Sequence, residues 1–366
     1  MTQLALSRAV LDRLAHVSAA RGAPGLGERL ASLDRWVRAD LVAFEAEIAA
    51  LPRGTRVVHA AAHHLLDLRG KHLRPLCVAL TSRFGDGFTE QARALAVAVE
   101  LVHSATLLHD DVVDVAERRR GEPAACVVYG NAASIFAGDW LLVAALRRIA
   151  AAGVEGMLDR MLGVIDDMIV AESLQLERRG NVTGGRADYF SIVEGKTAAL
   201  FRWAMIAGAR VARLGPAAEA ALERYGLHLG VAFQAVDDEL DFVDSRTEDP
   251  AGAPGSPAAV RPINGTGKDP LADLREGKVT YPLVVALERD PALHPRLVAL
   301  LAEPEPRPGE LAAIAAAVRS TGALVETRAL AEQHVELALA VLEELPPGPP
   351  RDALVTVALA SLERTS

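Results

Sequence analysis

The chain has 366 residues, enough for one large core or two ordinary domains. It is 51% hydrophobic but only 4% aromatic; helix formers fill its long segments and alternating valine or threonine runs are scarce, so the expected fold class is all-α. A net charge of −9 argues against nucleic acid as a partner, because phosphate backbones need a positive surface.

Residues 5–20 read as a short amphipathic helix, and 21–27, with Gly22, Pro24, Gly25 and Gly27, as a breaker. Asp12 and Arg13 interrupt the apolar stretch, so this N-terminus does not read as a signal peptide. Helical periodicity then runs through 28–50, 54–69, 72–84, 88–117, 123–151 and 154–178. A turn from Gly180 to Gly185 precedes helices at 186–211 and 215–243. Residues 244–270, rich in Pro, Gly, Ser and Asp, read as a flexible loop insertion. Helices over 276–289, 294–303, 308–320, 322–345 and 350–364 complete the pattern. There is no solenoid repeat and no linker between two cores, so the expected organisation is an N-terminal helix and linker (1–27) followed by one helical domain (28–366).

No apolar run reaches the ~20 residues of a membrane span; the longest candidates carry Asp139, Arg147 or Arg202. Cys77 and Cys126 lack metal-ligand spacing, which suggests a reducing compartment and no zinc site. A soluble, cytoplasmic protein is expected, with weak peripheral membrane contact left open.

Of 39 basic residues only Lys71, Lys196, Lys268 and Lys278 are lysine, and each follows a glycine. Lysine is a compact point charge suited to phosphate, and glycine lets backbone approach a ligand closely. Asp110, Asp111 and Asp114 fall on one side of a helix by their i, i+1, i+4 spacing. Asp237, Asp238 and Asp241 repeat that spacing in an apolar helix. Such carboxylates repel one another and resist desolvation unless cations neutralise them. All-oxygen ligands suit hard cations, and Mg²⁺ is held by a few carboxylates plus substrate phosphate oxygens. A lone cluster is as easily an exposed helix face, and Asp166-Asp167 reads so; two matched clusters are a much stronger pattern. His103 lies two turns before Asp110, Arg118-Arg119-Arg120 follows the first cluster, and Lys71 and Arg74 share a face by i, i+3 spacing.

These motifs resemble those of the trans-isoprenyl diphosphate synthases, or polyprenyl synthetases, over roughly residues 30–345. Gly70-Lys-His-Leu-Arg-Pro75, Asp110-Asp-Val-Val-Asp114 with Arg119-Arg120-Gly121, Gly195-Lys196-Thr197, Phe233-Gln234 with Asp237-Asp238 and Asp241, Gly267-Lys268, and Asp273 to Lys278 occur in the family's order. The resemblance implies an isoprenoid-synthase-type helical bundle around a central cavity, working as a homodimer. It implies catalysis by Asp110, Asp111, Asp114, Lys196, Asp237 and Asp238, with Asp110, Asp114, Asp237 and Asp241 at Mg²⁺. Arg119, Lys196, Thr197, Gln234 and Lys268 would contact an allylic diphosphate; Lys71, Arg74, His103 and Arg120 would hold isopentenyl diphosphate. Lys278 reads as mainly structural. Ionisation of the allylic C–O bond, attack by the isopentenyl double bond and proton loss would follow, with released diphosphate as the base.

Ala105 and Thr106, five and four residues before Asp110, stand where the family's growing chain passes. Both are small, and the resemblance is to long-chain synthases, so a product longer than geranylgeranyl is expected. Val115 stands where relatives often carry glutamate, and the 244–270 loop looks longer than usual. A short-chain synthase, a class I terpene cyclase and a non-catalytic subunit are the rival readings; the intact second cluster and basic residues disfavour the last two. A di-iron bundle would need two Glu-x-x-His motifs, and only Glu100-Leu-Val-His103 fits. Removing Asp114 is expected to leave the fold intact or slightly stabilised, through relief of repulsion.

Overall fold

The structure, a computed structural model, describes residues 24–68, 70–180, 184–243, 271–303 and 306–363. The N-terminal helix expected at 5–20, the 244–270 loop and Lys268 lie outside the described residues. The rest is helical: α1 (Pro24–Ala49), α2 (Val57–Leu66), α3 (Leu73–Ser82), α4 (Glu90–Val113), α5 (Ala125–Tyr129), α6 (Asn131–Ala152) and α7 (Met157–Arg178) come first. There follow α8 (Arg186–Val193), a π-helical turn (Glu194–Ala198), α9 (Ala199–Val211), α10 (Pro216–Phe242) and α11 (Ala272–Arg275). Then come α12 (Tyr281–Arg289), α13 (Leu293–Leu301), α14 (Pro308–Ser320), α15 (Ala323–Leu342) and α16 (Pro349–Leu362). The only sheet among the described residues is a two-stranded antiparallel ribbon, β1 (Arg118–Arg119) with β2 (Glu122–Pro123).

The all-α expectation holds, but three segments divide where periodicity ran on. The segment 123–151 is two helices, because Gly130 takes φ 86° between them. The segment 88–117 stops at Val113. There Ala116 N donates to Asp111 O at 2.9 Å and Val115, at φ 51°, donates to Val112 O at 3.4 Å, which closes the last carbonyls in a Schellman-type turn. The segment 186–211 contains the π turn at Lys196-Thr197. A fourth segment, 276–289, becomes a helix only from Tyr281, with Pro282 in its first turn.

Two apolar clusters fill the interior. The larger includes Leu101, Leu108, Phe201, Trp203 and Tyr225; the smaller includes Val236, Leu240, Phe242, Tyr281 and Leu330. Helix α10 serves both, through Leu229 and Ala232 on one side and Ala235 and Val236 on the other. The most extensive helix pairs are α4 with α6 and α10 with α15. One aspartate cluster therefore rides on a helix of each pair. Close approach between α3 and α9 depends on Gly208, where an added Cβ would collide with Thr81 Oγ1 and lie 2.6 Å from Val78 O. Gly208→Ala is expected to destabilise the protein by about 1–3 kcal/mol through overpacking, read as a lowered denaturation midpoint at unchanged slope.

A histidine pair crosses the α10–α15 contact, with His228 Nδ1 3.3 Å from His334 Nδ1 and Phe190 stacked on the His334 ring. Burial, and then His228, push the His334 imidazole down to about 4 from an ordinary 6.5. The folded protein therefore resists a proton that the unfolded chain accepts. The associated stability is fully present above pH 6.5 and drains away as pH falls toward 4. Melting temperatures are expected to drop across that interval, and His334→Gln is expected to flatten the drop.

Candidate active site

The first aspartate cluster lies at the C-terminal end of α4, and its three carboxylates have different surroundings. Asp111 is fully buried and accepts from Arg119 Nε at 2.7 Å as well as from Nη2. Burial raises its pKa, against the opposing pull of Arg119. Asp114 is clamped by Arg179 Nη2 and by Lys278 Nζ at 2.6 Å. Burial alone would raise its pKa, but Lys278 first, then Lys196 and Arg179, bring it below the ordinary carboxylate value. Asp110 is more open and has Lys196 Nζ at 3.4 Å.

Lys196 and Thr197 sit on the π turn, where the altered winding leaves functional side chains out of ordinary helical register. Gly195 makes this turn possible in an unexpected way. A Cβ there would lie 2.8 Å from Ala171 Cβ and 3.0 Å from Asp167 O, so the glycine admits helix α7, not a ligand. Gly230 plays the same part from α10, where a Cβ would meet Ala198 Cα at 2.5 Å. Pressed between two helices, the turn points Lys196 at Glu172 and at Gln175 Oε1, 3.2 Å away. Thr197 Oγ1 donates to Gln234 Oε1 at 2.9 Å, and Gln234 Nε2 donates to Asp238 Oδ1 at 2.8 Å.

That relay joins the two clusters. Asp238 also accepts from Tyr281 N at 3.4 Å, and Asp241 Oδ1 accepts from Ala272 N at 3.1 Å. Burial pushes the Asp238 carboxyl up to about 7, against the bond from Gln234. Its negative neighbour Asp273 also acts on Lys278, the residue that clamps Asp114. The two clusters are thus connected twice, through Lys196-Thr197-Gln234 and through the 273–281 segment.

A second basic group lies beside the first. Arg74 is half-buried, its Nε shielded from solvent and its guanidinium 4.6 Å from the Phe201 ring centroid, and Lys71 Nζ is 5.9 Å from the Phe233 centroid. Arg120, at φ 53°, donates to Leu68 O at 3.2 Å, and its guanidinium packs against Gly70. Burial lowers the His103 pKa well below its ordinary value, with Arg74 adding to the effect, so this ring is neutral at pH 7. Sequence reasoning missed Glu172, Gln175, Arg179 and Glu276. Glu172 and Gln175 share a helical face by i, i+3 spacing, which could have been noticed; nothing in the sequence pointed to Arg179. Ala105 is 1% exposed, its carbonyl close against Gly138 of α6, while Thr106 stays half-buried on the side of His103 and Asp110.

The family model for polyprenyl synthetase matches residues 55–252. The chain belongs to the polyprenyl synthetase family. It is therefore a prenyltransferase, and its bundle is of the isoprenoid-synthase type. The chain is 31% identical over 310 residues to octaprenyl diphosphate synthase of Escherichia coli K12, covering 84% of this chain and 90% of that one. A short chain isoprenyl diphosphate synthase of Methanothermobacter thermautotrophicus is 35% identical over 314 residues, covering 83% and 89%. Polyprenyl synthase from Caulobacter crescentus CB15, solved in complex with calcium and isoprenyl diphosphate, superimposes with TM-score 0.82 at 32% identity, covering 91% of this chain and 97% of that one.

The clamp on Asp114 reverses the stability expectation drawn from repulsion alone. Lys278 is 10% exposed, and without Asp114 its buried ammonium would keep Glu276 and the influence of Asp273 but lose one of its carboxylate partners. Asp114→Ala is expected to cost about 1–3 kcal/mol of stability in metal-free buffer, whereas Asp110→Ala should cost less than about 1 kcal/mol. Parallel denaturant titrations of the two variants check this difference.

Proposed function

We propose that the chain condenses isopentenyl diphosphate with an allylic diphosphate and elongates an all-trans prenyl chain to a long product. The observation that carries this reading is the double linkage of two carboxylate helices by cations and hydrogen bonds, with a separate buried basic pocket beside them. One region suits an anion bridged by metal, the other an anion held directly.

The donor set fits Mg²⁺: Asp110, Asp114, Asp237 and Asp241 offer only hard oxygen ligands. Among the described residues no three acidic, histidine or cysteine side chains lie together closely enough to hold a metal by themselves. Diphosphate oxygens would complete the coordination. When bound, the metal supplies charge stabilisation to the departing diphosphate. Asp111 holds Arg119, and Asp238 holds Gln234, so each supports a residue that faces the allylic diphosphate. Lys196 and Lys278 already rest on Asp110 and Asp114 and would turn toward the incoming phosphates, with Arg119, Thr197, Gln234 and Lys268 completing the contacts. Lys278 thereby moves from a structural role to the allylic site. Lys71, Arg74 and Arg120 bind isopentenyl diphosphate as cations, and neutral His103 donates a hydrogen bond. The released diphosphate is the base that removes the proton after carbon–carbon bond formation. The apolar walls of α4, α9 and α10 keep water from the allylic cation.

A homodimer is supported by the apolar side chains that α6 and α7 turn outward, among them Phe136 at 60%, Ile169 at 64% and Val170 at 62% exposure. Two free, buried cysteines support a cytoplasmic location, where product release would involve weak membrane contact at most. One helical domain from residue 28 onward is supported by α10, which both apolar clusters share.

Incubation with labelled isopentenyl diphosphate, an allylic primer and Mg²⁺ is expected to yield linear diphosphates longer than geranylgeranyl, read by chromatography after dephosphorylation. Hydrocarbon without isopentenyl incorporation would instead indicate a cyclase, and a product of geranylgeranyl length or shorter would overturn the long-chain assignment. Ala105→Tyr and Thr106→Phe are each expected to shorten the product, since a bulky ring blocks the passage within about one helical turn. Unchanged length in both would move the chain's path away from α4.

A further inference from the structure

Glu100 is a buried acid that the proposed reaction does not use. It lies on α4 one turn before His103 and is 3% exposed. Its Oε1 is 3.1 Å from Nδ1 of His72, the N-cap residue of α3. His72 occupies the left-handed region at φ 44°, ψ 34°, an unfavourable conformation for a residue with a Cβ. Its ring has Glu100 at ion-pair distance on one side, without hydrogen-bond geometry at Nδ1, and Phe44 edge-on at 5.1 Å on another. His72 stands in the middle of the Gly70–Pro75 turn, between Lys71 and Arg74. Were its backbone to relax to negative φ, the peptide that carries Lys71 would swing relative to the helix that carries Arg74.

Glu100 also faces the guanidiniums of that pocket. It is the strongest favourable charge acting on the two half-buried arginines, Arg74 and Arg120, and itself stays ionised. Holding two partly desolvated guanidiniums side by side is costly without a fixed counter-charge. The carboxylate therefore acts on the pocket before any diphosphate enters it.

We infer that Glu100 is a positioning residue for the isopentenyl diphosphate pocket, holding His72 in its left-handed conformation and so fixing Lys71 and Arg74 for the anion. The inference rests on the reading of Lys71, Arg74, His103 and Arg120 as that pocket. It differs from a simple charge effect. Glu100 is an anion near an anion site, so charge alone would have it weaken diphosphate binding, whereas positioning makes it strengthen binding.

Two substitutions separate these. Glu100→Asp keeps the charge but withdraws the carboxylate by about 1.5 Å, beyond reach of His72. His72→Asn tolerates the left-handed backbone but is too short to meet Glu100, and its partly exposed position makes it a safe variant for folding. Each is expected to raise the KM for isopentenyl diphosphate about tenfold while leaving the KM for the allylic primer within about twofold. The double variant is expected to be no worse than about tenfold to twentyfold, because both changes break one interaction. An isopentenyl KM within about twofold of wild type in His72→Asn, a parallel rise in both KM values, or a multiplicative double variant would each overturn the inference. Arg74→Ala, measured alongside, tests the pocket itself. If it leaves the isopentenyl KM unchanged, the pocket reading falls and the inference with it; if it raises that KM while His72→Asn does not, only the positioning role falls.

Discussion

The arrangement of this protein depends on neutralising carboxylates that sit in apolar helices. Asp111 and Asp238 are almost completely buried, and Asp114 and Asp241 nearly so. A carboxylate at such a depth is costly unless a cation or several hydrogen bonds compensate it. Here the first cluster takes cations, from Arg119, Arg179, Lys196 and Lys278, and the second takes hydrogen bonds, from Gln234 and the amides of Ala272 and Tyr281. Most of these compensating groups come from stretches of chain remote from the aspartates they serve. Neutralising the aspartates therefore draws the π turn, the 272–281 segment and the end of α7 onto the bundle.

The same requirement accounts for the glycines. Gly195, Gly208 and Gly230 lie at points where helices approach too closely for a Cβ. Close approach brings Lys196 and Thr197 within reach of partners on α7 and α10. Gly277, at φ 73°, lets the 276–278 segment turn beside Gly180, whose amide donates to Gly277 O at 2.9 Å. That contact sets Lys278 and Arg179 on opposite sides of Asp114. Gly195 and Gly277, each preceding a lysine, thus serve helix and loop packing, with the placement of Lys196 and Lys278 as the consequence.

The two basic regions obey different electrostatics. At the first aspartate cluster four cations are shared among Asp110, Asp111, Asp114, Glu172 and Glu276, an arrangement suited to the proposed exchange of protein cations for metal and diphosphate. Around Arg74 and Arg120, one buried acid offsets two guanidiniums, which leaves net positive charge for a single anion. Neutral His103 fits the second region, because a further cation there would face the burial and the repulsion from Arg74 that together depress its pKa. The proposed reaction, with a metal-bridged leaving group and a directly held acceptor, would use this division.

Periodicity and spacing were enough to identify an all-helical chain, the paired aspartate clusters and the basic motifs, because i, i+4 geometry is local and each motif spans a few turns. The family followed from the resemblance of these motifs, in their order, to those of the polyprenyl synthetases, which the match over residues 55–252 bears out. Helix ends were less legible: Gly130, Val115 and the Lys196 π turn break helices through backbone conformations that residue type only partly specifies. What no local pattern contained were the partners of each charge. Arg179 and Lys278 lie 65 and 164 residues from Asp114, and His72 lies 28 from Glu100. Such pairs form only when the chain has folded, since the cost of burying a charge is set by what packs around it. For that reason the sequence by itself determined which side chains could do the chemistry, and the tertiary structure decided which of them are neutralised, which are held in place, and by whom.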